Sequence, residues 1–511
     1  MSDNPFNRLA IRRHPEYAAN ASEWAFLRQA IEGGPGYVNG NLFKHPKEDP
    51  QVYDERKKRA ADHHLNLTAQ VVQTYLGYLF QTRPTPAEGL PEWLERFIAS
   101  GDQEGRSLVE LAKDVATWNM GYGIIWVGVD KPPAPKGPDG EPVDLSEAQE
   151  IELRLEPYAY LVHPTHVLDG RIERGVVKWL LVQEDKRDDA DPINSSGQII
   201  TKLRLWTEAE WVLLSQVERN GGKEWEVEAK GTNPIKRVPF VPFRFGSGSG
   251  FACPGLVADI AHIDRAIFNK TSLLDEIHYA QTFGQLAIPY KGDLYEEDGT
   301  GGFKLTSEGQ GILTMGLHTV LPYAAEAGAP GYVAPPNGPA EVLSKSIADM
   351  ARMLLGLALL DGEVATEEGG AAPVSGVNKA YTFAKLNRRL AAIADRIEAG
   401  FAQVFDLAAR WLLKDPEEIP WNAWDFPDNF DVRSLAQDIE EFSVLMAGNP
   451  PSHTAIALLW KAILRKALSK VDPEVWKEIE AEVDAMAERF QMGSMGPALG
   501  AGEPEEGDEE E

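Results

Sequence analysis

Acidic side chains are the residues of this sequence that come closest to a chemical pattern. Two short clusters of them are Asp188, Asp189 and Asp191, and Glu296, Glu297 and Asp298. Carboxylate-rich loops bind hard divalent cations, but neither cluster has the ligand spacing of a calcium loop. Both clusters are therefore interpreted as solvated loops, and the sequence predicts no bound metal and no cofactor.

Three further patterns suggest a binding role. The run Gly246–Gly250 (GSGSG) has the glycines of a phosphate loop but lacks the Lys and the following Ser/Thr, which favours a hinge. His63 and His64 are expected inside a helix, where adjacent side chains point about 100° apart and share a metal poorly. The basic run Arg56–Arg59 is also expected on a helix, where its side chains spread around the axis, so an exposed face is favoured.

Signatures of common enzymes are absent from the sequence. It contains no GxxxxGK[ST] P-loop, no HExxH, no GxSxG and no CxxC pair. Cys253 is the only cysteine, which excludes internal disulfides and thiolate zinc clusters. Since catalysis has no positive support, we expect a protein that is not an enzyme.

The charge balance also restricts the function. The 511 residues include 50 Lys and Arg against 79 Asp and Glu, a net charge of −29, and the hydrophobic fraction of 43% is typical of folded protein. Such a chain repels nucleic acid at long range, which disfavours an enzyme with a basic DNA-binding groove. The apolar runs are too short for a membrane span, and Met1–Arg13 lacks the apolar core of a signal peptide.

Periodicity divides the first half of the chain into helical and strand-rich parts. Prolines and glycines interrupt residues 1–50 and leave room for one short helix. Helices are predicted at Ser22–Ile31, Val52–Phe80, Pro91–Ala99 and Ser107–Asn119. Strands are predicted at Gly121–Val129, Leu153–Tyr160, Val176–Glu184, Ile199–Thr207, Glu210–Val217 and Glu224–Ala229, the last two joined by a hairpin turn at 220–222.

The second half is mainly helical. Helices are predicted at Pro254–Tyr279, Pro339–Leu360, Val377–Leu413, Leu435–Ala447, Ser452–Ser469 and Pro473–Gln491, with a short strand at Asp425–Val432. In the second of these helices, apolar residues step by 4, 3, 4 and 3, which indicates a helix-packing seam formed by Leu343, Ile347, Met350, Leu354 and Leu357. In the third, one side is lined by Leu386, Leu390, Ile393, Ile397, Phe401, Val404 and Trp411.

This order of elements is similar to that of tailed-bacteriophage portal proteins, the head-to-tail connectors. The resemblance covers residues 50–470 and rests on Tyr53–Pro84, on the strand Gly121–Val129 after a Trp-containing helix, and on the VPFVPFRF run at Val238–Phe245. It implies an α+β, mainly helical fold with a wing, a two-helix stem, a clip, a long helix with a tunnel loop, and a helical crown.

Carried onto this sequence, the resemblance assigns a part to every segment. The parts are an N-terminal arm (1–50), a wing of helices plus a β-rich module (51–253), a first stem helix (254–282), a clip (283–336), a second stem helix (337–360), a tunnel loop (361–376), a long helix with its return to the wing (377–434), a crown (435–491) and a disordered acidic tail (492–511). It also implies that Asp361, Glu363, Glu367 and Glu368 of the tunnel loop face DNA, and that Glu296, Glu297 and Asp298 form a docking surface on the clip.

The partners follow from the same resemblance. It implies a homo-oligomeric ring, a dodecamer, through which double-stranded DNA passes without sequence specificity. The terminase large subunit, the major capsid protein and scaffold, and head-completion or tail adaptor proteins would bind the ring; no membrane is involved. The expected location is the portal vertex of the virion, and the host cytoplasm during assembly. The alternatives are a non-viral oligomeric scaffold or adaptor and, less favoured because no P-loop or carboxylate triad is visible, a packaging-associated nuclease or ATPase.

Overall fold

A computed structural model gives the conformation of most of the chain. It describes residues 4–87, 89–135, 143, 145–219, 222–246, 248, 250–282, 285–290, 295–297, 303–305, 320–324, 329, 331–333, 336–360, 376–413, 423–427, 430, 457–461, 463–464 and 473–493. The chain divides into two compact units, Met1–Asp428 and Asn429–Glu511. The mixture of helices and sheets confirms the α+β class.

The helices of the first unit are numbered in chain order. They are α1 (Pro5–Ile11), α2 (Pro15–Glu32), α3 (Gly34–Asn41), α4 (Pro50–His63), α5 (Leu67–Leu79), α6 (Glu92–Ser100), α7 (Leu108–Tyr122), α8 (Glu147–Glu152), α9 (Ala258–Thr282), α10 (Gly338–Leu357) and α11 (Gly376–Leu412). In the second unit, α12 spans Pro473–Gly493, and residues 457–461 and 463–464 are also helical. The predicted helices at Pro254–Tyr279, Pro339–Leu360, Val377–Leu413 and Pro473–Gln491 are therefore confirmed within a few residues at each end.

The strands form several small sheets. They are β1 (Thr85–Pro86), β2 (Ile124–Asp130), β3 (Tyr158–Val162), β4 (Val167–Glu173), β5 (Val176–Arg187), β6 (Ile199–Thr207), β7 (Glu210–Arg219), β8 (Gly222–Thr232), β9 (Phe240–Arg244), β10 (Gln285–Tyr290), β11 (Tyr295–Glu297), β12 (Phe303–Leu305), β13 (Val320–Ala324), β14 (Gly331–Val333) and β15 (Trp424–Asp425). The predicted strand at Leu153–Tyr160 is wrong in its first half, because a Ser146–Gln149 capping box starts α8 and the strand begins only at Tyr158.

The N-terminal arm is more helical than the sequence predicts. Instead of one helix at Ser22–Ile31, α1, α2 and α3 occupy most of residues 5–41. Each of these helices has a proline in its first turn, where the missing N–H has no intrahelical partner in any case. The prolines that were expected to interrupt the arm therefore start its helices.

The predicted helix Val52–Phe80 is two helices. α4 ends at His63, and α5 begins at Leu67 because the Asn66 side chain accepts a hydrogen bond from the Ala69 N–H at 2.8 Å. His63 and His64 thus lie at the end of α4 rather than inside a continuous helix. Both α4 and α5 pack on α9, and the break lets α5 pack on α7 as well.

A sheet of five antiparallel strands, β4-β5-β6-β7-β8, forms the β-rich module. β7 and β8 pair from Glu210↔Thr232 to Arg219↔Gly222, which confirms the predicted hairpin. One face of the sheet packs Leu168, Leu181, Leu203 and Leu214 around Ala10 of α1.

The same helix, α1, also covers the outer edge of that sheet. The Asn4 side chain donates to the Trp225 carbonyl at 2.9 Å, and the Trp225 N–H donates to the Asn7 side chain at 2.8 Å. Since β8 is an edge strand, these two amides satisfy main-chain groups that another strand would otherwise pair with.

The long helix α11 packs on a second sheet, β3-β2-β9. β2 is buried along nearly its whole length, and the Phe243 ring of β9 contacts the Phe401 ring of α11 with centroids 5.3 Å apart. The Trp411 indole N–H donates to the Val129 carbonyl at 3.0 Å. Of the predicted strand at Asp425–Val432, Asp425 lies in β15, which pairs with β1, and residues 428–429 and 431–432 lie outside the described residues.

Candidate functional site

Two long helices, α9 and α10, form an antiparallel pair, and they are the candidate interface of this chain with other copies. The Lys270 ammonium lies 2.5 Å from the Ser346 hydroxyl, and the Gln281 side chain donates to the Asn337 side chain at 3.2 Å. The end of α9 therefore meets the start of α10. Between the two helices in sequence, β10 pairs with β13 in parallel and with β14 in antiparallel orientation.

The predicted seam of α10 is only partly buried within the chain. Leu354 is 1% exposed, while Leu343, Ile347 and Met350 are half-buried and Leu357 is exposed. α10 packs along α9, so part of this seam is used inside the subunit. Burial of the seam between subunits stays a prediction.

A second row of apolar side chains on α10 is uncovered in the single chain. Val342 is 69% exposed, Met353 58% and Leu357 46%. Val342 and Met353 are eleven residues apart, three helical turns, and Leu357 follows one turn later, so the three share one side of the helix. We call these three residues the α10 stripe. Leu273 of α9, 47% exposed, is another large apolar side chain on the helix pair that the single chain leaves in solvent.

Buried charges hold α9 against the N-terminal helices. The Arg56 guanidinium of α4 donates to both Glu48 oxygens at 2.7 and 2.9 Å and to the Ser272 hydroxyl of α9 at 3.1 Å. The hydrogen bond from Arg56 lowers the pKa of Glu48. One turn further on, Arg59 pairs with Glu276 at 2.5 Å. The expectation that the basic run 56–59 forms an exposed face is wrong for Arg56, which is 3% exposed.

A carboxylate of α9 also caps α5. Asp264 accepts hydrogen bonds from the Thr68 N–H at 3.0 Å and from the Thr68 hydroxyl at 2.7 Å. Burial raises the pKa of Asp264, although the bonds from Thr68 oppose that shift. Sequence reasoning missed this contact. Its only signal was an acid within the apolar repeat Ile260, Ile263 and Ile267.

The C-terminal end of α10 is anchored to two other helices. The Tyr75 hydroxyl of α5 donates to the Ala358 carbonyl at 2.7 Å, and Arg389 of α11 donates to the Leu357 carbonyl at 3.3 Å. Leu360, just after the helix, is 5% exposed. The predicted tunnel-loop residues Asp361, Glu363, Glu367 and Glu368 follow at once and lie outside the described residues.

The predicted acidic docking loop of the clip is in part a strand. Glu296 and Glu297 lie in β11, where their register partners in β12 are Lys304 and Phe303, while Asp298 lies outside the described residues. The docking role of the three acids stays a prediction.

The other acidic cluster, Asp188–Asp191, lies in the turn between β5 and β6, and its side chains form hydrogen bonds within that turn. Asp188 accepts from the Ser196 N–H at 2.8 Å and from its hydroxyl at 2.7 Å, and the Asn194 side chain donates to Asp191 at 2.6 Å. These hydrogen bonds lower the pKa of both carboxyl groups. In the described part of the chain, no group of three or more His, Cys, Asp or Glu side chains is arranged to hold a metal ion.

Comparison with known proteins gives structural similarity without detectable sequence similarity. No known family model matches the chain, and no curated protein does. Its fold is similar to that of a chain in the virion of a native gene transfer agent particle, with 11% identity and a TM-score of 0.38 over 85% of this chain and 98% of that one. It is also similar to a chain in the neck of an empty gene transfer agent particle computed with C6 symmetry, with 10% identity and a TM-score of 0.36 over 78% of this chain and 91% of that one.

Over the described ranges, no helix combines the length and apolar character needed to cross a bilayer.

Proposed function

We propose that the chain is the subunit of a portal ring, a closed homo-oligomer at one vertex of a phage capsid through which double-stranded DNA is packaged and ejected. The observation that carries the proposal is the antiparallel pair of α9 and α10 with its uncovered α10 stripe. Apolar side chains that lie together on one face of a helix mark a candidate protein–protein contact, and a neighbouring copy would remove them from water.

In a ring, the stripe of one copy packs on a different surface of the next copy. The stripe lies beside the seam residues of the same helix, some of which pack on α9. A neighbouring copy that covered the stripe would therefore enlarge the same apolar contact. A contact between two different surfaces of the same chain repeats from copy to copy, and it forms a closed ring when the rotation between copies closes. Burying one Leu or Met side chain stabilises by about 1.5–3 kcal/mol, and a ring repeats that gain at every interface.

The net negative charge of the chain fits a channel through which DNA slides better than a site that binds DNA. A net charge of −29 leaves few cations to replace the counterions of a duplex, so the duplex slides without being retained. In this proposal Asp361, Glu363, Glu367 and Glu368 face the passing phosphates. Glu296, Glu297 and Asp298 contact the terminase large subunit and later the tail adaptors. The ring itself is not an enzyme.

Electron microscopy of the purified full-length chain tests the ring. We expect top views with a central opening and cyclic symmetry, and compact or open assemblies without a channel would contradict the portal function. The matched pair of variants is Met353→Asp, on the stripe, and Ser344→Asp, nine residues earlier and therefore on the opposite side of α10. Only Met353→Asp should shift the population to monomers.

Two further variants test the DNA-related parts. Charge reversal at Glu296, Glu297 and Asp298 should reduce packaging while leaving rings intact, and normal packaging would remove these acids from the docking surface. Shortening Glu363–Ala372 should also leave the ring intact but change packaging yield or DNA retention. Packaging and infectivity equal to those of the natural chain would make that segment a plain linker.

A further inference from the structure

Main-chain N–H groups at the end of the glycine-rich turn after β9 bind a carboxylate of the same chain, that of Glu16. One oxygen of the Glu16 carboxylate accepts hydrogen bonds from the Phe251 N–H and the Ala252 N–H, each at 2.7 Å. Consecutive main-chain N–H groups that converge on one oxygen are the donor arrangement with which backbone turns bind carboxylates and phosphates. Glu16 lies in the first turn of α2, far away in sequence, so this contact is tertiary.

The turn fits its anion closely. A Cβ atom at position 250 would lie 2.6 Å and 2.8 Å from the two Glu16 oxygens, so only glycine allows the carboxylate to approach. Phe251, which supplies one of the N–H groups, is buried and packs on the His14 ring with centroids 4.2 Å apart. The two hydrogen bonds are part-buried beside these rings, and partial removal from water strengthens them.

The guanidinium of Arg244 lies next to the turn and is the third part of the site. Arg244 Nε donates to the Gly250 carbonyl at 3.0 Å and so holds the turn in place. Its Nη2 atom is buried and has no hydrogen-bond partner among the residues that the structure describes. Burial lowers the pKa of Arg244, while the negative charge of Glu16 acts in the opposite direction. Arg244 as a whole is half-buried, and an N–H group of this kind is a donor that an anion larger than a carboxylate can use.

We propose that Arg244, Gly250, Phe251 and Ala252 form a binding site for a small oxyanion, a carboxylate or phosphate, which Glu16 fills in the resting chain. The same contact fastens α2 to the turn that leads into α9. An oxyanion that takes the place of Glu16 therefore also loosens the start of α2. The site differs from a P-loop, because the chain here has no lysine after the glycines and α9 begins only at Ala258, beyond the two donating residues.

Chemical rescue of Glu16→Ala in the full-length chain tests the site. In the variant, hydrogen exchange of the Phe251 and Ala252 amides should accelerate by about tenfold or more, since both lose their acceptor. Added acetate or inorganic phosphate, at ionic strength held constant with chloride, should slow that exchange again and raise the melting temperature along a saturating curve. Glu16→Met, which keeps about the same side-chain length but has no oxygen to accept from Phe251 and Ala252, provides the same measurement if Glu16→Ala does not fold.

Glu23→Ala is the matched control. Glu23 is another acid of α2, but its carboxylate pairs with the His262 ring at 2.9 Å instead of with main-chain N–H groups. Neither acetate nor phosphate should restore the melting temperature of that variant. A DNA duplex at equal phosphate concentration should not protect Phe251 and Ala252 in Glu16→Ala, because the proposed site takes a small free oxyanion. Unchanged exchange in Glu16→Ala, or equal protection by chloride or duplex, would overturn the proposal.

Discussion

The helices α10 and α11 have the same kind of apolar repeat, but the chain covers them to different degrees. In α11, the residues Leu386, Leu390, Ile393, Ile397, Phe401 and Val404 are all at most 2% exposed, because sheet β3-β2-β9 and neighbouring helices cover them. In α10, Leu354 alone of the predicted seam reaches that degree of burial, and the α10 stripe remains in solvent. Periodicity therefore shows where a helix has an apolar face, but not whether its own chain or another copy covers that face.

The largest effect on folding should come from the covered helix. Phe401→Ala removes a ring that is 0% exposed and contacts both Phe243 and Trp424. We expect a loss of about 3–5 kcal/mol in the free energy of unfolding, measured by urea titration. A loss below about 1 kcal/mol would show that α11 is not packed as tightly on β9 as the comparison requires.

Leu354→Ala should have the next largest effect. Leu354 is 1% exposed and belongs to the part of α10 that the single chain covers. Truncation of a buried leucine costs about 2–5 kcal/mol, and we expect the lower half of that range because only part of the helix is enclosed. For the same reason a charged residue at position 354 would disturb folding and assembly together, so position 353 is the better probe of assembly. A Leu354→Ala variant as stable as the natural chain would remove the distinction between this residue and the α10 stripe.

Gly400→Ala measures how closely α11 approaches its sheet. A Cβ at this position would lie between 2.2 and 2.6 Å from three atoms of the Phe243 ring. We expect a cost of about 1–3 kcal/mol from overpacking, visible as a lower urea midpoint with an unchanged slope. Gly356→Ala in α10 is the matched control, since its Cβ would meet no atom within 4 Å and should be tolerated. Equal effects at both positions would contradict the tighter packing of α11.

The smallest effect on folding, and the largest on assembly, should come from the stripe. Val342→Asp combined with Met353→Asp replaces two side chains that are 69% and 58% exposed. We expect a change in the free energy of unfolding within about 0.5 kcal/mol for monomers, together with loss of the oligomer in sedimentation analysis. Retention of the full oligomer would place the subunit contact elsewhere.

The sequence predicts the helical half of the fold well and the tertiary contacts poorly. α9, α10 and α11 are long, and their apolar repeats are regular enough to define both ends within a few residues. The break before Asn66 was missed because a single capping side chain interrupts an otherwise continuous pattern. Arg56 was expected in solvent because local sequence does not contain its partners, Glu48 and Ser272, which meet it only in the folded chain.

The same distinction between local spacing, which the sequence shows, and tertiary contacts, which it does not, applies to the candidate site. Local spacing was sufficient to identify the seam residues of α10, because helix geometry places them on one face. Of the α10 stripe only Leu357 was identified, as a seam residue; Val342 and Met353 were not, since a valine and a methionine three turns apart do not differ in sequence from core residues. The Glu16 contact joins residues more than two hundred positions apart, and a single sequence provides no information on such a pairing.

The amides of Asn4 and Asn7 on Trp225 have a consequence for how the protein can be handled and how it ages. They protect one point of an edge strand that would otherwise accept a strand from any neighbour. Asn4 is protected from deamidation through a succinimide, because Pro5 has no main-chain N–H. Deamidation of Asn7 would exchange a neutral amide for a carboxylate opposite the Trp225 N–H. Proteolytic trimming of the first helix would uncover the strand entirely. Samples that lose these few residues should therefore form sheet-mediated aggregates while their helices remain folded.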